Sequence, residues 1–219
     1  MTVPMPPVIL SQAVLFIVFV CLGVILPGAL LTVLFAGKDD GLREGGLPAL
    51  VFLAGFIFCF PLWAGCRLGG LSYGWTAVVH FSIVALLAFF SFKDRSARDR
   101  LLSLPRLFFS AENAVSLALV SGFVAWFTYD SLIFYHGDEL LRLSFAGAAQ
   151  RGLPAQNLLA HSGILRYYYA TEFFAGTASS VLGIPLETVY FRLMLGLNWL
   201  LLLVGMKGLA SQYKPGSCQ

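Results

Sequence analysis

The stretch VILSQAVLFIVFVCLGVILPGALLTVLFA, residues 8–36, decides the fold. It holds no Asp, Glu, Lys or Arg. It is also longer than the roughly 20 apolar residues with which an α-helix crosses a hydrocarbon core. Pro27-Gly28 falls inside it, so the helix is expected to kink there or to end its first section. The opening MTVPMPPVIL has no basic n-region, and the apolar run after it is too long for a leader's h-region. We read it as the entry to a first span, not as a cleaved signal.

The rest of the chain has the same character. Of its 219 residues, 58% are hydrophobic and 11% charged, where a soluble domain carries about 25% charged. Mean hydropathy is +0.83. This composition excludes a soluble enzyme. The net charge of +3 gives no argument for nucleic acid, because the basic residues fall in intervals between apolar blocks. The expected fold is an all-α, polytopic transmembrane helical bundle of about six spans, near residues 8–36, 48–66, 71–92, 111–135, 167–182 and 188–206. Residues 1–135 then form a four-span membrane region and 136–166 an extracytoplasmic loop. Residues 167–207 form a transmembrane hairpin turned by Gly183-Ile184-Pro185, and 208–219 a polar tail.

Several polar residues in this frame have plain structural readings. Asp39-Asp40 sits in a glycine-rich connection beside Lys38, Arg43 and Glu44, and reads as a solvated turn. Cys59 and Cys66 lie two helical turns apart, too far for a disulfide on one helix, so the cysteines read as small membrane-buried residues. His80 lies inside the third span, where an ionisable group is a functional candidate. A neutral imidazole bonded to a neighbouring helix accounts for it more simply. Glu172 opens the fifth span and is expected to snorkel outward. Arg192 in the sixth span is expected to pair between helices.

Lys93, Arg95, Arg98, Arg100 and Arg106 form the densest basic run. By the positive-inside rule that run belongs in the cytoplasm, as a topology anchor at an anionic surface. Alternation then places the N-terminus and residues 136–166 outside. Localisation to a bacterial inner membrane is the corresponding expectation.

The longest polar interval is HGDELLRLSFAGAAQRGLPAQNLLAHSGILRYYY, residues 136–169. Leu140, Leu141, Ser144, Phe145 and Ala148 recur at helical spacing, which predicts an amphipathic helix over 139–151 lying on the membrane surface. Gly152 is the expected C-cap, and Pro154 prevents resumption. Asp138 and Glu139 stand at its N-terminal end, where the helix dipole favours negative charge. They read equally as caps, as a general base, or as ligands to a divalent cation beside a diphosphate. Tyr167, Tyr168 and Tyr169 read first as an interface belt and second as a sugar-stacking platform.

The pattern HGDELLRLSFAGAAQRGLP resembles the first extracytoplasmic loop of GT-C-class integral membrane glycosyltransferases. ILRYYYATEFFAGTASSVLGIP resembles multi-pass relatives of that class, some with a Tyr-Tyr-Tyr tract. The resemblance covers roughly residues 130–205. It implies sugar transfer from a polyprenyl-phosphate donor at the outer face, with Asp138 at the catalytic acidic position and Glu139 its neighbour. Arg142 or Arg166 would pair with the lipid phosphate, while His161 and Tyr168 join the substrate side without a firm counterpart. In the usual order the acidic loop follows the first span, whereas four spans precede it here. Complete enzymes of the class also have more spans. Both departures imply a partial member, with a partner chain to supply further spans. The alternative is a non-catalytic membrane subunit or transporter-like protein that binds a lipid or partner through this loop.

Overall fold

In the computed structural model of the chain, residues 7–35, 47–108, 137–153 and 170–212 are described. Among them every regular element is helical. In chain order these are α1 (Pro7–Val20), a π turn (Cys21–Ile25), α2 (Leu26–Phe35), α3 (Leu47–Leu68), α4 (Tyr73–Lys93), α5 (Arg95–Phe108), α6 (Gly137–Arg151), α7 (Ala170–Leu182), α8 (Leu186–Thr188), a second π turn (Val189–Leu193) and α9 (Met194–Gln212). Four stretches are long and apolar enough to cross a membrane: Ser11–Phe35, Leu47–Leu68, Tyr73–Lys93 and Leu186–Ala210.

The expected total of about six spans is therefore not reached among the described residues. The fourth expected span, 111–135, lies outside them. The fifth is α7, a helix of 13 residues, short of the roughly 20 that span a bilayer. Its residues from Glu172 to Ser179 are all buried, and residues 167–169 of that expected span lie outside the described residues.

Pro27 explains the break in the first span. Proline has no N–H for the carbonyl one turn back, which leaves the Gly23 carbonyl without its helical donor. The chain answers with a π turn, in which the Leu26 N–H donates to the Cys21 carbonyl. The orphaned Gly23 carbonyl accepts from the Cys59 thiol of α3 at 2.6 Å. The break beside Pro27-Gly28 is thus observed, and Cys59 is the small buried residue expected, with a bond to make.

Just beyond, α2 and α3 touch backbone to backbone. A Cβ at Gly28 would meet the Val51 carbonyl, and one at Gly55 would meet the Val24 carbonyl. Small residues give membrane helices this closeness.

Gly70, with φ of +79°, turns α3 into α4. At the other end of α4 the chain does not loop out as the basic run suggested. Asp94 accepts from the Ser96 N–H through Oδ1 at 2.9 Å and so starts α5. Ala97 and Leu104 of α5 are buried with Ala29, Val33, Leu47 and Val51 at the ends of α2 and α3.

The second half is held differently. Helix α6 lies parallel to α7: a Cβ on Gly176 would meet the Ala146 carbonyl, and the Gln150 side-chain amide donates to Ser179 at 3.3 Å. The Gly152 N–H caps α6 on the Ala148 carbonyl at 3.3 Å. Gly183, with φ of +66°, then turns α7 into α8, as the Gly-Ile-Pro hairpin predicted. Phe174 joins the halves, with ring centroids 5.7 Å from Phe19, 5.8 Å from Phe56 and 5.9 Å from Trp63.

Candidate functional site

Helix α6 forms where the periodicity put it, and it carries three of the residues singled out by sequence. Asp138 and Glu139 lie in its first turn, and Arg142 follows Asp138 by one turn. The side chains of Asp138 and Glu139, and all of His161, Arg166 and Tyr168, lie outside the described residues. So does the tyrosine tract.

The apolar side of α6 is not left to a headgroup boundary. Phe145, Ala146, Ala148 and Ala149 are buried, and Ala146 meets Gly176 of α7. Protein covers the face that sequence assigned to lipid.

This packing brings Arg142 to two partners that sequence did not assign to a site. Arg142 and Glu172 both come within interaction range of the Tyr190 hydroxyl of the second π turn. A guanidinium can only donate and a carboxylate only accept. The Tyr190 hydroxyl is thus placed to accept from Arg142 and to donate to the Glu172 carboxylate. Glu172 is 3% exposed. It points inward to this relay and does not snorkel outward. Burial of a carboxylate without a donor would be expensive, which is why α7 turns Glu172 toward the tyrosine.

The depth of the relay follows from helix geometry. The Gln150 carbonyl accepts from the Tyr73 hydroxyl at 2.8 Å, which fixes the C-terminus of α6 at the α3–α4 turn. Arg142 lies two turns earlier, about 12 Å along the axis.

A second buried polar group lies on the other side of Phe174. His80, 2% exposed, accepts from the Trp63 indole N–H through Nδ1 at 3.1 Å. That fixes the neutral tautomer with its proton on Nε2. This proton faces the Leu22 carbonyl of the first π turn without a well-formed hydrogen bond. The expected imidazole bonded to a neighbouring helix is what the structure holds, and the bond is structural.

Arg192 is half-buried and Glu187 exposed; no ion pair joins them among the described residues. No group of three His, Cys, Asp or Glu side chains could hold a metal ion among the described residues. Comparison with known protein families, with curated proteins and with solved structures returns no match.

Proposed function

We propose that the protein is a membrane-embedded, glycosyltransferase-like protein that takes a polyprenyl-phosphate-linked sugar beside α6. Arg142 pairs with the lipid phosphate, and Asp138, one turn before it, is the general base toward an acceptor hydroxyl. The observation that supports this reading is the relay from Arg142 through Tyr190 to Glu172. It sets the exposed Arg142 beside a buried carboxylate, and a guanidinium so placed can pair with the phosphate of a membrane lipid. The dipole at the α6 N-terminus favours the ionised form of Asp138 that a base needs.

The test is transfer from a polyprenyl-phosphate sugar in membranes that contain the protein. Removal of a general base costs on the order of 10²–10⁴ in rate, so Asp138→Asn should abolish detectable turnover at unchanged expression. Glu139→Gln should be milder. Near-normal transfer by Asp138→Asn would refute the assignment and leave both acids as helix caps.

A second reading is favoured by the π turns. Each long span at the edge of the sequence, 11–35 and 186–210, carries one, and each turn adjoins a buried polar group. Interrupted helices at polar sites are a transporter feature. Lipid binding that persists in Asp138→Asn, with no transfer by the unaltered protein, would select this non-catalytic reading.

A further inference from the structure

We propose that the outer face of α5 is a binding surface for the headgroups of anionic phospholipids in the leaflet on which it lies. This is independent of the reading of α6. Three observations carry it.

The first is level. Phe89, Phe90 and Phe92 in the last turn of α4 are exposed, as side chains in hydrocarbon are. Arg95 follows only three residues later, so α5 runs at headgroup depth.

The second is orientation. Ala97, Leu101 and Leu104 recur at helical spacing and pack against the ends of α2 and α3. Arg95, Asp99 and Ser103, with Ser96 and Arg100 beside them, therefore lie on the other side. They line an open concavity of about 700 Å³ together with Asp94, roomy enough for a headgroup. Exposed Leu102 gives the helix an apolar contact with the acyl boundary.

The third is charge. The two acids of the segment are engaged, Asp94 in capping α5 and Asp99 with Arg98 at 3.8 Å. Lys93 and Arg95 are exposed and stand outside that pair, and the Arg100 side chain also lines the concavity. A phosphodiester meets two arginine side chains and the Ser96 and Ser103 hydroxyls there, and Arg favours bidentate contact with such oxyanions.

The experiment uses the purified full chain in neutral detergent, with native mass spectrometry as readout. Short-chain phosphatidylglycerol is titrated against short-chain phosphatidylcholine. The unaltered protein should retain phosphatidylglycerol preferentially. A basic residue near an anionic surface contributes about fivefold in affinity, so Arg95→Gln should weaken retention about fivefold and Arg95→Gln/Arg100→Gln about 25-fold. Arg151→Gln removes the same charge at the opposite end of the bundle and should leave retention unchanged. Arg95 is exposed, so its single variant keeps the fold, which the helical circular dichroism signal checks. Equal retention of the two lipids by the unaltered protein, or an equal loss in Arg151→Gln and Arg95→Gln, would overturn the proposal.

Discussion

The two halves of the molecule solve the same problem in different ways. In the first three spans, a missing proline N–H is answered by the neutral Cys59 thiol, and a buried imidazole by the neutral Trp63 indole. Helices α2 and α3 close over backbone at Gly28 and Gly55. In α6, α7 and the second π turn the buried group is a carboxylate, Glu172, and it lies beside a tyrosine that an arginine also approaches. Neutral pairs in a membrane hold helices together and little more. The buried Glu172 carboxylate carries a desolvation cost that packing alone does not require. The comparison teaches that the described buried polar groups of the first half are met by neutral partners, whereas the second half buries a carboxylate.

The largest effect should come from breaking the scaffold. Gly55→Leu drives a side chain into the Val24 carbonyl, a backbone atom that cannot swing aside. Overpacking of this kind costs about 3 kcal/mol or more, and the variant should fail to give a monodisperse peak on gel filtration. Normal elution and melting would show that α2 and α3 are not in backbone contact.

A smaller effect is expected in the second half. Tyr190→Phe removes a hydroxyl donor from beside the buried Glu172 carboxylate, which should cost about 1–3 kcal/mol in thermal unfolding. The double variant Tyr190→Phe/Glu172→Gln should be less destabilised than the two single losses added together, since the groups share one bond. Strict additivity would mean that the relay does not exist. The smallest effect belongs to Cys59: Cys59→Ala removes one neutral hydrogen bond and should cost about 1 kcal/mol. Cys59→Ser keeps a donor and should cost less than Cys59→Ala.

Much of the scaffold was legible in the sequence. The uncharged run 8–36 announces a span, Pro27 announces its interruption, and Gly183-Ile184-Pro185 announces the hairpin turn. Helix α6 was legible too, because Leu141, Phe145 and Ala148 recur with its period. What covers that face was not. Periodicity tells which side of a helix is apolar, but lipid and a neighbouring helix such as α7 satisfy it equally. For the same reason Glu172 read as a snorkelling residue: its partner Tyr190 lies across the hairpin turn, and no local spacing connects them. The basic run 93–106 read as a loop because its charges drew the eye from Ala97, Leu101 and Leu104, which share one face at helical spacing.

The central claim is that a lipid-linked phosphate is held at α6. Photo-crosslinking tests it most directly, with a benzophenone-bearing polyprenyl phosphate and the protein reconstituted in zwitterionic vesicles. After digestion, the label should map to the peptide containing residues 137–153, and Arg142→Gln should remove most of it. Label confined to peptides from residues 47–108, or labelling of α6 that Arg142→Gln leaves intact, would contradict the account.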